Sequence, residues 1–213
     1  MKVQIWSDIA CPFCYIGKKH LELAAEQTDT PLEIEWMSFQ LDPSAPEKTD
    51  KSIYEILANK YGKDVAWAKQ MNANMIEMGA KAGLTFNVDI QKPTNTLKAH
   101  LLLHQAKEKG LQTELKKTLF EAYFVEGKNI SDTETLLKIV KEVGLSVEEA
   151  KSILDEKKYK DEVRNDISLA QRYGIQGVPF FILNNKYALS GAQPVEAFVQ
   201  AFDKIEEELE APS

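Results

Sequence analysis

Asp8-Ile9-Ala10-Cys11-Pro12-Phe13-Cys14-Tyr15-Ile16-Gly17 is the stretch whose reading decides the fold. It holds the only two cysteines of the chain, three residues apart. Lys2 to Trp6, just before it, reads as a strand, and Lys18 to Glu26, just after it, reads as a helix. The pair therefore sits at a strand-to-helix turn, with the first sulfur at the helix N-terminus. Backbone N–H groups and the helix dipole favour a thiolate at that position. A vicinal dithiol with one activated sulfur is the working part of thiol–disulfide exchange.

Outward from this turn, the helix is expected from Pro12 to about Gln27, with Pro12 in the first turn, where its missing N–H costs nothing. Thr28-Asp29-Thr30-Pro31 is a turn. Leu32 to Phe39 alternates Leu32, Ile34 and Trp36 with Glu33 and Glu35, a second strand. This β-α-β unit implies a parallel pair with a right-handed crossover. Asp42 to Asp50, with Pro43 and Pro46, reads as a boundary, and Ser52 to Tyr173 is almost wholly helical in pattern. Ser131-Asp132-Thr133-Glu134 and Ser146-Val147-Glu148-Glu149 read as capping boxes, and Gly110 and Gly144 as stops. Strand character returns at Pro179 to Leu183, Asn184-Asn185 turns, and Lys186 to Ser190 pairs back. Pro194 then opens a helix with Val195, Phe198, Phe202, Ile205 and Leu209 on one stripe. The order βαβ, helical block, ββα predicts an α/β chain. It is a thioredoxin-like fold with a large all-helical insertion: residues 1–45 and 174–213 form the thioredoxin-like domain, and 46–173 the insertion.

The bulk numbers agree with a globular protein. The chain has 213 residues, 44% hydrophobic and 28% charged, enough for a real core. Its net charge of −7, from 33 acids against 26 bases, argues against a nucleic-acid surface. No segment approaches the ~18 apolar residues of a membrane span. Met1-Lys2 with Gln4, Ser7 and Asp8 does not make a secretory signal, so a cytoplasmic setting is expected. A reducing cytosol disfavours a structural disulfide, which makes the cysteine pair catalytic or metal-binding. Half a zinc knuckle would need a second ligand pair, and no other cysteine exists. His100 and His104, at i and i+4, have metal-binding spacing but no acidic partner in a known motif; helix packing or solvent exposure is the expectation, and no metal is expected. His20 lies about half a rotation from Cys11 and is not expected to be its base.

Three segments resemble the DsbA-type thioredoxin superfamily, and most closely its FrnE-like branch of dithiol oxidoreductases: Ser7-Asp8 through Gly17; Tyr173-Gly174-Ile175-Gln176-Gly177-Val178-Pro179-Phe180-Phe181; and Ser190-Gly191-Ala192-Gln193-Pro194. A weaker fourth is Asn95-Thr96-Leu97-Lys98-Ala99-His100. Pro-Phe stands between the cysteines where that branch often has Pro-Trp, so the redox potential stays open. The resemblance implies a thiol–disulfide oxidoreductase acting on protein or small-molecule disulfides and thiols. Cys11 would be the nucleophile, more exposed and with a pKa well below a free thiol's, and Cys14 the resolving thiol. It further implies a cis bond before Pro179 and substrate contacts from Pro12, Phe13, Val178 and Pro179. Asn95 reads equally as a substrate contact or a helix cap. Tyr15 and Phe181 are expected in the core. No cofactor is implied, glutathione is a possible redox partner, and a homodimer is possible. A cytosolic setting fits reduction, whereas the DsbA-type scaffold fits oxidation. The rival reading is a glutathione-dependent isomerase or transferase, related to 2-hydroxychromene-2-carboxylate isomerase and kappa-class transferases, which use a serine where Cys11 stands. A second rival is a binding module with the dithiol as a redox sensor.

Overall fold

Val3 and Ile5 leave one face of the first strand and Trp6 the other, and all three are buried. A strand covered on both faces is a central one. In the computed structural model, which describes residues 1–210, β1 (Lys2–Ser7) is the second strand of a four-stranded sheet of order β2-β1-β3-β4. β2 (Glu33–Ser38) runs parallel to β1, pairing Ile5 with Trp36 and Trp6 with Met37. β3 (Phe180–Leu183) runs antiparallel to β1 on its other side, and β4 (Tyr187–Ser190) closes the sheet as a hairpin. Asn184 and Asn185 take φ of 45° and 56°, the left-handed centre of a turn closed by Lys186 N–H on Leu183 O (3.0 Å), and Leu183 pairs with Tyr187 across it.

Two helices cover the Val3/Ile5 face: α1 (Pro12–Thr28) and, packed on it, α9 (Val195–Glu210). Phe198 and Phe202 of α9 are fully buried in this core, with Phe181 edge-on to Phe198. Leu209, expected on the same stripe, is 74% exposed. Thr30, just beyond the end of α1, already reaches Glu206, so Leu209 lies past the end of its packing partner.

Between β2 and β3 the chain forms α2 (Ile53–Tyr61), α3 (Val65–Lys81), a 3₁₀ turn (Val88–Ile90), α4 (Leu97–Glu108), α5 (Gln112–Phe124), α6 (Thr133–Glu142), α7 (Val147–Glu156) and α8 (Lys160–Arg172). α4 is buried without a break from Ala99 to Ala106, which makes it the central helix of this block. α8 covers the second face of the sheet, where Ala170 and Ile175 meet Trp6 and Met37. Side chains cap the outer edge of β2: Gln112 accepts from Trp36 N–H (3.0 Å) and donates to Trp36 O (2.9 Å), as a neighbouring strand would, and Asp166 accepts from Ser38 N–H (2.8 Å).

The helix starts follow the expected chemistry with one shift. Ser146 caps α7, accepting from Glu149 N–H, but α6 is capped by Asp132 rather than Ser131. The Ser131 hydroxyl is instead buried without a hydrogen-bond partner. A reciprocal box at Ser52 and Glu55 starts α2. Gly110 and Gly144 hold positive φ at helix ends, as expected.

A cluster of rings ties α1 to the helical block. Tyr15 stacks on Phe120 (5.0 Å between centroids) and meets Phe86 edge-on, and Phe86 in turn packs on Phe124. The helix α3 passes so close that a Cβ at Gly79 would stand 2.3 Å from the Phe86 ring. Gly79→Ala is therefore expected to destabilise the protein by about 2 kcal/mol, because overpacking outweighs the ~1 kcal/mol helix advantage of alanine. Gly177→Ala, with no atom within 4 Å of the new Cβ, should be neutral in the same thermal melts.

Candidate active site

The dithiol is built by the turn between β1 and α1. Cys11 is the N-cap of α1, with extended backbone (φ −94°, ψ 111°), and Pro12 follows in the first turn. Its N–H donates to Asp8 O (3.2 Å), and Cys14 N–H donates to Cys11 O (3.1 Å). Both cysteines are free thiols and both are buried, at 3% and 1% exposure. The Cys11 sulfur donates to Val178 O at 3.5 Å. The Val178–Pro179 peptide is cis, as the resemblance implied. Gly17 lets α1 press against this segment: a Cβ there would lie 3.0 Å from Phe181 and 3.1 Å from Pro179. Phe13, between the cysteines, is 40% exposed, whereas Tyr15 and Phe181 belong to the core.

The two thiols stand three residues apart at the start of α1, and each shifts the titration of the other. Hydrogen bonding to Cys14, then burial, pushes the Cys11 thiol well above the ordinary value, against the pull of the Cys14 N–H. Burial pushes Cys14 up as well, but the neighbouring Cys11 thiol and Ser7 hydroxyl, with the charge of Lys116, bring it below the ordinary value. The two protons therefore leave in two steps that belong to the pair rather than to either sulfur. The expectation of a lowered Cys11 is not met: the neighbouring Cys14 thiol and burial outweigh the pull of the Cys14 N–H, and Pro12 supplies no N–H.

Behind the pair lies a buried polar shell that joins the sheet to α4. Asp8 accepts from Leu41 N–H (2.8 Å) and stands 3.4 Å from His100 Nε2. Burial pushes its carboxyl up, yet the His100 contact and charge, the Leu41 N–H and the Thr96 hydroxyl hold it below the usual carboxylate range. Burial drives His100 below its ordinary value, more than Asp8 raises it. One turn on, His104 Nε2 lies 3.3 Å from Asp166 and 3.2 Å from the Ser38 hydroxyl. Asp166 also accepts from Ser38 N–H (2.8 Å). The two histidines face separate aspartates. Among the described residues no three His, Cys, Asp or Glu side chains converge as a metal-ligand set. His20 is turned away, with Nδ1 2.7 Å from Gln193 O.

The DSBA-like thioredoxin domain model matches residues 2–203. The chain belongs to that family. This DSBA-like chain is 32% identical over 201 residues to the uncharacterised protein YwbO of Bacillus subtilis, covering 93% of itself and 94% of that protein. It superposes with a TM-score of 0.92 on a probable DsbA oxidoreductase, SCO1869, of Streptomyces coelicolor. That pair shares 35% identity over 100% of this chain and 92% of the other. A cytosolic disulfide reductase, DsbM of Pseudomonas aeruginosa, shares the fold at TM-score 0.67 and 17% identity, over 98% and 100% of the two chains. No helix among the described residues is long and apolar enough to cross a membrane.

Against the DSBA-like frame, the sequence-predicted residues divide. Cys11, Cys14, Val178 and Pro179 meet at one point, with Pro12 and Phe13 on its rim. Asn95 serves the backbone: it accepts from Leu97 N–H (2.9 Å) and donates to Pro43 O (3.1 Å) and Ala45 O (3.0 Å), which caps α4 and pins the loop after β2. Sequence reasoning missed Asp8, His100 and Lys116 as partners of the dithiol. Asp8 was in view beside the cysteines, but nothing in the spacing said that α4 and α5 would close over it.

Proposed function

We propose that this protein is a thiol–disulfide oxidoreductase of the FrnE-like kind, working on protein or small-molecule disulfides with glutathione as a redox partner, in a cytoplasmic setting. The reading rests on one observation: the only two cysteines stand together at a helix start, with the Cys11 sulfur against the carbonyl of the cis Val178–Pro179 peptide. In reduction of a substrate, the Cys11 thiolate attacks one sulfur of the substrate disulfide. The other substrate sulfur leaves as a thiolate and takes up a proton. Cys14 then gives up its proton and attacks Cys11, expelling the second substrate thiol and closing the Cys11–Cys14 disulfide. Substrate oxidation is the same sequence reversed. Phe13 offers an apolar contact beside the attacking sulfur, and Pro12 and the Val178–Pro179 segment frame it.

The test is the equilibrium of the pair against glutathione buffers, read by alkylation and mass spectrometry. One Cys11–Cys14 disulfide should form as a two-electron couple, with a potential between about −120 and −270 mV. If none forms at any poise, the dithiol mechanism is wrong and the glutathione-dependent isomerase reading takes its place.

A further inference from the structure

The sheet has two outer edges, and the chain treats them differently. Along β2 side chains fill the outward backbone groups, Gln112 at Trp36 and Asp166 at Ser38. The edge of β4 is not filled in this way. In the β3–β4 ladder Gly191 N–H donates to Pro179 O (2.8 Å). By the two-residue alternation of an antiparallel ladder, Leu189 and Tyr187 then also turn their backbone groups toward β3, at Phe181 and Leu183. Ala188 and Ser190 therefore point their N–H and C=O outward, and both residues are exposed. Ser190 O takes the Gln193 side-chain amide (2.7 Å). Among the described residues, the Ala188 N–H, the Ala188 carbonyl and the Ser190 N–H are left without a hydrogen-bond partner.

A row of free backbone groups at a sheet edge is a template for another chain, and an edge closed to other chains carries charges or a proline. Tyr187-Ala188-Leu189-Ser190 has neither. The neighbouring Lys186 is drawn away to Glu208 of α9. The open stretch also lies at the dithiol end of its strand. Ser190 pairs with Phe180, the residue after the cis Pro179, and the Cys11 sulfur stands 3.5 Å from Val178 O. We propose that the outer edge of β4 docks an extended segment of a polypeptide substrate, which adds to the sheet as a fifth strand while its cysteine reacts at Cys11. This rests on the dithiol reading above and, of protein and small-molecule disulfides, selects the protein. Ala188 and Ser190 present little but backbone, and main-chain pairing accepts many sequences.

An extended chain advances about 3.3 Å per residue, so a substrate comes alongside β4 about four residues from its cysteine. Glutathione, with one residue on either side of its cysteine, ends short of the edge. A second copy of this chain is a poorer occupant. Each copy carries a net charge of −7, so two copies repel, and two outward residues fall far short of the roughly 800 Å² per partner that a stable interface buries.

The experiment measures reduction of three disulfides: that of glutathione, that of a neutral peptide with one residue on each side of its cysteine, and that of a neutral peptide with about six. The long peptide should show kcat/KM about tenfold or more above the short one, carried by a lower KM. Methylating the backbone nitrogens of its outer flanking residues should remove most of that advantage in the unaltered protein, which needs no variant to fold. Ala188→Pro deletes an outward N–H and no bond of the β3–β4 ladder. It should lose the same advantage, about fivefold or more, with glutathione disulfide reduced as before. Equal rates for the long and short peptides, a methylated peptide as good as its parent, or a folded Ala188→Pro that keeps the advantage overturns the proposal and leaves the dithiol reading intact. So does a dimer at assay concentration that Ala188→Pro disperses, which gives the edge to a second copy. Reduction of none of the three by the unaltered protein overturns the dithiol reading itself.

Discussion

Cys14→Ser should accumulate a mixed disulfide between Cys11 and substrate, and Cys11→Ser should lose disulfide exchange by about 10³-fold or more, some 4 kcal/mol of transition-state stabilisation. The argument is geometric. The two sulfurs are within hydrogen-bond reach on one helical turn, so the second step is intramolecular, with effective molarities of roughly 10⁵ M available to well-oriented groups. Without the Cys14 sulfur, release waits for an external thiol at millimolar concentration, and the intermediate builds up. Non-reducing electrophoresis and peptide mapping of the trapped species check this. Cys14→Ser turning over like the unaltered protein would end the dithiol mechanism and favour the isomerase reading.

Asp8→Ala should cost about 1–3 kcal/mol, because it leaves the Leu41 N–H without its acceptor. For a chain of this size that lowers Tm by roughly 2–12 °C. The pH profile carries Asp8 and His100 in two windows. Asp8 is held below its ordinary value, so its contribution is complete above about pH 4 and disappears as pH falls through the folded value. His100 is lowered too, but here the folded state refuses a proton that the unfolded chain accepts. Stability therefore falls as pH drops below about 6.5. Urea midpoints at pH 7.5, 5.5, 4 and 2.5 should decline across both windows. In Asp8→Ala the decline below pH 4 should shrink, and a midpoint flat from pH 7.5 to 5.5 in the unaltered protein would show that His100 is not held neutral.

The architecture was legible because it is written in local patterns. Alternation gave β2, the Asn184-Asn185 turn gave the final hairpin, and Cys11-Pro12 marked a helix start. The dithiol was legible for the same reason. The environment of the dithiol was not. Lys116 stands beside Lys117 in a run that reads as a solvated face, and helical period alone does not tell which lysine turns inward. Its burial is decided by α5 packing across β2, where Gln112 grips Trp36. His100 and His104 were readable as one helix face, but their partners Asp8 and Asp166 come from opposite ends of the chain. The lowered thiol was placed on Cys11 from the helix-terminus rule alone. That rule does not count a second sulfur one turn on, or a lysine contributed by another element.

Cys11 meets the Val178 carbonyl across 167 residues of chain. On a ribosome adding about 5–20 residues per second, the thiols emerge roughly 8–30 s before the segment that covers them. Throughout that interval the nascent protein presents two solvent-open cysteines without Val178, Pro179 or, for most of the time, Lys116. Control over which partners those thiols meet is thus acquired late in synthesis, and a fragment ending before β3 would carry both cysteines but no cover for them.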